Sequence, residues 1–292
     1  MDPDLATKSD GRAILALLVS ATLWGLIWYP LRYLQAQGID GLWSSLIIYG
    51  CLIPLGLYLA KSHLHQWPAY RGPLLLIALT SGWANVAFIM AVIDGNVVRV
   101  MLLFYLSPVW AIAFAWALIG ERPHLPALLT ALVALSGAMI MLWDPELGLP
   151  WPHELSDWLA LTAGMAFAAS NVGIRATPGL ALNMKMAANW LGVSLVAGVW
   201  ILVLGDVVPA VSPGIWLLTL SMGLVMLVMT LTVQYGVSQL PVYRSSIVLL
   251  FELVAGAVSS QLLTDELILP REYFGGGMII VAAWLSARTQ HE

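Results

Sequence analysis

Residues 97–121, VVRVMLLFYLSPVWAIAFAWALIGE, and residues 242–266, VYRSSIVLLFELVAGAVSSQLLTDE, carry one pattern twice. Arg99 and Glu121 flank the first apolar run and recur as Arg244 and Glu266 around the second, at an offset of 145 residues, half the chain. Val97/Val242, Val109/Val254, Leu118/Leu263 and Ala138/Ala283 keep the same ungapped register. The chain therefore reads as a diverged duplication of one hydrophobic unit, residues 1–145 and 146–292.

Working outward from these stretches, apolar segments of about the 20 residues needed to span a bilayer fall at 12–33, 42–60, 73–93, 97–119, 125–143, 157–175, 184–204, 213–237, 242–264 and 272–288. Breakers mark the joints at Asp94-Gly95-Asn96, Gly120 with Pro123, Pro178-Gly179, Pro209 to Gly214, and Pro241. The expected fold class is an all-α integral membrane protein of ten transmembrane helices. With 60% apolar and 10% charged residues, the chain has too little polar surface to cover a soluble fold. The first apolar stretch is long enough to span and lacks a cleavage site, so it is expected to stay as a helix rather than leave as a signal peptide. Cys51, the single cysteine, allows no intramolecular disulfide. No basic stripe exists that could neutralise a nucleic-acid backbone.

Lysine and arginine counts orient the segments, because cytoplasmic loops carry the excess. Lys8, Arg12, Lys61, Arg71, Arg122, Arg175, Lys185, Arg244 and Arg288 fall on the side of the N-terminus, and Arg32, Arg99 and Arg271 on the other. Both termini are thus expected in the cytoplasm. Five spans per unit is odd, so the second unit enters the bilayer from the opposite side and the repeats are inverted. Such pairs place a solute site near the midplane where they meet. In the first helices the offset drifts to 143: Trp24, Trp28 and Arg32 correspond to Phe167, Asn171 and Arg175.

The stretch Ser107 to Pro123, SPVWAIAFAWALIGERP, followed by a glycine-containing apolar helix at Ala127 to Met141, resembles the hallmark of EamA-type domains in the drug/metabolite transporter superfamily. Phe251 to Leu267, FELVAGAVSSQLLTDEL, resembles the second such domain, with Glu252-Leu253 where the family carries Glu-Pro. The resemblance implies a secondary transporter of the bacterial inner membrane, without cofactor or metal, working as monomer or homodimer by alternating access. Within the family the nearest likeness is to exporters of aromatic amino acids. Multidrug or quaternary-cation exporters of the same fold are the runner-up.

Candidate solute-contacting residues follow from what a bilayer tolerates. Glu252 is the one carboxylate well inside an expected span, and its cost of about 2.5–3.5 kcal/mol there requires that it face the bundle interior and find a partner or a proton. It contacts a substrate ammonium or works as a proton-linked switch, or it is a structural carboxyl bonded to a neighbouring helix. Ser81, Asn85, Ser170, Asn171, Asn189, Thr230 and Gln234 form narrow polar seams, which face protein or water; interhelical bonds alone also account for such residues. Trp24, Trp28, Phe88, Tyr105, Phe167 and Tyr235 lie deep enough to stack on a flat solute, with plain packing as the blander reading. Pro30, Pro54 and Pro108 are candidate kinks. Arg99 and Arg244 are candidate gates or snorkelling anchors, and Glu121 and Glu266 are expected to bond loop backbone or a basic neighbour. An intramembrane enzyme would need an unrecognised site, since no HExxH, GxSxG or P-loop pattern occurs.

Overall fold

The computed structural model describes residues 3–143, 151–264 and 268–288. Among the described residues all regular structure is helical, as a backbone in hydrocarbon requires. Fourteen α-helices follow one another: α1 (Pro3–Leu26), α2 (Trp28–Ala36), α3 (Gly41–Gly50), α4 (Ile53–Ala60), α5 (Trp67–Asp94), α6 (Val97–Phe104), α7 (Ser107–Phe114), α8 (Leu125–Leu142), α9 (Leu155–Arg175), α10 (Leu182–Leu204), α11 (Pro213–Gln239), α12 (Val242–Leu249), α13 (Phe251–Leu263) and α14 (Pro270–Arg288). Each of the ten apolar segments coincides with one helix or a consecutive pair.

Seven stretches are long and apolar enough to cross a membrane. One of them, Gly41–Asp94, has 54 residues, far more than a hydrocarbon core about 30 Å thick needs. A 3₁₀ turn, Lys61–Gln66, divides it before α5. Helices α9 and α14 are not among the seven: α9 is rich in Ala, Ser and Asn and buries most of its surface, and α14 opens on Arg271-Glu272.

The breaks within segments have a chemical cause. Proline cannot donate to the carbonyl four residues back, and its ring presses on it. Pro30 opposes Leu26, where α1 ends; Pro54 opposes Gly50, where α3 ends; Pro108 opposes Phe104, where α6 ends. The pair α12–α13 also breaks, at Leu250, with no proline nearby.

Packing follows a reciprocal scheme. Helix α1 lies on α11 and α13, and α9 lies on α5, α6 and α7; α3 and α4 pack on α10, α7 on α12, and α8 on α14. Lipid supplies no hydrophobic drive between helices, so close approach depends on small residues. A methyl on Gly192 would run into the Ala78 carbonyl, and one on Gly82 would lie 2.5 Å from the Gly192 oxygen, so these two glycines let α5 and α10 touch backbone to backbone. Gly137 and Gly275 do the same for α8 and α14. Trp67, Trp116, Trp151, Trp158 and Trp284 are exposed, whereas Trp190 is wholly buried.

Candidate functional site

A cavity of about 140 Å³ lies between the two halves of the chain. Its wall is built by α1, α3, α5 and α6 from the first half and by α9 to α13 from the second; α8 and α14 contribute nothing to it. Of the expected residues, Trp24, Ser81, Asn85, Phe88, Phe167, Asn171, Asn189, Thr230, Gln234 and Glu252 line it. Several come in register pairs: Trp24 with Phe167, Asn85 with Thr230, Phe88 with Val233 and Phe104 with Leu249.

Three expected residues stand elsewhere. The break at Ile27 interrupts the helical face that Trp28 shares with Trp24, and the Trp28 indole donates instead to Ser259 Oγ at 2.9 Å. Tyr235 follows Gln234 on a continuous helix and is turned about 100° away, onto the cluster around Leu17 and Leu240. Tyr105 lines a smaller adjoining hollow, which shares Glu252, Asn171 and Phe104 with the large one, so that Tyr105 and Glu252 stand on one wall. Ser170, expected on the same polar seam as Asn171, also lines the large cavity, as do Tyr49 and Phe104, which carried no signal in the sequence.

The polar wall falls into two parts. Some groups satisfy each other across helices: Ser81 Oγ and Ser170 Oγ are 2.8 Å apart, joining α5 to α9, and the Trp190 indole donates to Thr230 Oγ1 at 3.1 Å, joining α10 to α11. Others are left over. Asn85 Oδ1, Asn189 Oδ1 and both amide atoms of Gln234 are buried without a partner. Buried polar atoms of this kind are costly unless a water or ligand bonds them. The lining carries a single carboxylate, Glu252 in the first turn of α13, and no Lys, Arg or His. It therefore offers acceptors, amides and rings, with nothing to hold a phosphate.

Every ion pair found among the described residues joins one half to the other. Arg99 meets Asp157 at 3.1 Å, Arg244 meets Asp10 at 2.7 Å, and Arg175 meets Glu121 at 2.7 Å. The first two are counterparts: an arginine opening α6 or α12 reaches an aspartate near the start of the apolar run of α9 or α1. Arg244 is 2% exposed and also donates to the Ser286 carbonyl, so it does not snorkel. Glu121 bonds both a basic neighbour and backbone, since its second oxygen accepts from Val242 N at the start of α12. Cations cap helix C-termini nearby, where the dipole favours them: Lys185 on Ile174 of α9, Arg175 on Ser238 and Gln239 of α11. Glu266 lies outside the described residues.

The model of the EamA-like transporter family matches residues 11–143. Comparison with curated proteins gives no match. Among solved structures 25 chains match, and one of them, a crystal structure of a protein, superposes with a TM-score of 0.73 at 16% identity over 94% of this chain and 96% of its own. That likeness is one of fold. The family match supports the drug/metabolite transporter superfamily, and with the membrane-capable helices it suggests a multi-pass membrane transporter of small solutes.

Proposed function

We propose that the chain is a secondary transporter of ten spans, built from inverted repeats 1–145 and 146–292, which exports small, largely apolar solutes across the bacterial inner membrane with both termini in the cytoplasm. Aromatic amino acids are the foremost candidates. The observation that carries the reading is the composition of the cavity wall, drawn from both halves, with one carboxylate, unpartnered amides and a set of rings. Glu252 suits a substrate ammonium, to which Asn85 Oδ1 and Asn189 Oδ1 add acceptors, Gln234 Nε2 can donate to a carboxylate oxygen, and Trp24, Phe88, Phe104 and Phe167 suit an aromatic side chain.

Inversion is supported by the reciprocal packing. Exchanging the first five segments for the last five turns the α1–α11 contact into α9–α5 and leaves α8–α14 as it is. Alternating access then requires the halves to part at one face at a time. On the orientation given by Lys and Arg, the Arg99–Asp157 tie lies outside and the Arg244–Asp10 and Arg175–Glu121 ties lie inside. The helix breaks beside the cavity supply places for bending.

A multidrug or quaternary-cation exporter is the second reading, favoured by a lone acid among rings. A catalytic reading has less support, because the lining holds neither His nor Cys. Proteoliposomes loaded with labelled tryptophan, phenylalanine or a lipophilic cation separate these readings. Carrier-dependent efflux of the first two supports amino-acid export, and equal, carrier-independent loss of all solutes defeats transport altogether.

A further inference from the structure

Gln234 is 1% exposed, lines the cavity from α11, and has no hydrogen-bond partner for either Oε1 or Nε2. Whichever way the amide is turned, it offers one acceptor beside one donor in a single plane. Its complement is a planar edge with a donor next to an acceptor, the pairing through which Asn and Gln read adenine. On the wall of the same cavity, Phe88 and Phe104 have centroids 4.7 Å apart, and Phe104 and Phe167 5.7 Å, giving a run of rings on which a flat heterocycle can stack. Asn85 Oδ1, also unpartnered, adds a further acceptor.

Charge selects among molecules with such an edge. The lining holds a carboxylate and no cation, so a phosphorylated form would enter unpaired beside Glu252. The free base has no such penalty.

We propose that the cavity also takes neutral, amino-substituted nitrogen heterocycles of the free-nucleobase type, with Gln234 as the residue that reads their donor–acceptor edge and the phenylalanines as the stacking face. The inference rests on the transporter reading of this cavity. It extends that reading to a second solute class.

Isothermal titration of the purified full chain in lipid nanodiscs, with adenine and with purine, tests it. Purine has the same rings and lacks the amino donor, so the comparison needs no mutation. Adenine is expected to bind about tenfold more tightly than purine, the worth of one well-made hydrogen bond, and Gln234→Met is expected to abolish the difference. Equal binding of the two bases, or no binding of adenine, overturns the inference even where tryptophan efflux is intact. Absence of carrier-dependent efflux for every solute, adenine included, overturns the transporter reading, and a Gln234-dependent preference for adenine would then still support the edge recognition by itself.

Discussion

Tyr105 and Leu250, 145 residues apart, are the positions at which their two segments break: α6 ends at Phe104 and α12 at Leu249. Three residues beyond the break the first segment has Pro108, and the second has Leu253 in its place. The break in α12–α13 is held by packing and by 3₁₀-type bonds, Leu250 N to Ile247 O at 3.2 Å and Leu253 N to Leu250 O at 3.1 Å. Both breaks line the smaller hollow, whose wall brings Tyr105 and Glu252 together.

The first prediction concerns that missing proline. Leu253→Pro forfeits one backbone bond at a place where the helix is already interrupted, so it is expected to cost about 1 kcal/mol. Val193→Pro, inside the uninterrupted α10, is expected to cost about 3 kcal/mol or more. Thermal unfolding of both variants in detergent measures the difference. Equal losses would mean that the break is not a relaxed feature of the helix.

The ties between halves are expected to differ in strength with burial. Removing one partner of a buried pair typically costs about 3–5 kcal/mol, and exposed pairs are worth about 1 kcal/mol or less. Arg244 is 2% exposed and its Asp10 partner 28%, whereas Arg175 and Glu121 are 26% and 23% exposed. Arg244→Ala should therefore lower the unfolding temperature clearly more than Arg175→Ala does. If the ties also work as latches, Arg99→Ala and Arg244→Ala shift the reactivity of single cysteines in the cavity towards opposite sides of the membrane. A shift to the same side in both variants would refute the latch.

Close glycine contacts make a third test. Gly192→Ala forces α5 and α10 apart, because the added methyl meets the Ala78 carbonyl, which is backbone and does not yield. A loss of about 1–3 kcal/mol is expected, as for other overpacked sites. Gly277→Ala, which meets nothing within 4 Å, should be neutral or better. Matched unfolding temperatures for the two variants would remove the contact from the account.

Much of this arrangement was legible in the sequence because a bilayer imposes it. The length of each apolar run gave each helical segment, and the 145-residue register gave the matched positions of Arg99 and Arg244 and several facing pairs in the cavity. What local pattern does not encode is which residue meets which across helices. Asp10 and Asp157, the partners of those arginines, sit just before or at the start of apolar runs and read as ordinary loop or cap residues. Trp190 reads as one more aromatic, yet it is fully buried and bonded to Thr230. Lys185 falls within the first turn of α10 and seems from its charge to belong in water, but the α9 carboxyl end satisfies it in the interior. Trp28 was misplaced for a different reason: helical periodicity assumes an unbroken helix, and Pro30 breaks this one.

Glu252 is the sharpest test of the proposed export. It is the sole carboxylate on the cavity wall and shares the smaller hollow with Tyr105. Glu252→Gln keeps the shape and removes the charge. A charge-assisted bond to a substrate ammonium is worth about 1.5–3 kcal/mol, so efflux of amine-bearing aromatic solutes at low concentration should fall roughly ten- to hundredfold. Only the ionised carboxylate attracts an ammonium, so wild-type efflux at low solute concentration should rise with pH through the titration of Glu252, and the variant should lose that rise. Replacing Tyr105 by Phe serves as the comparison: it removes a neutral hydroxyl from the hollow shared with the carboxylate and leaves the charge, so the pH dependence should be displaced rather than abolished. Wild-type rates at every pH in the Gln variant would exclude Glu252 from solute handling and leave it as a structural carboxyl beside the helix breaks.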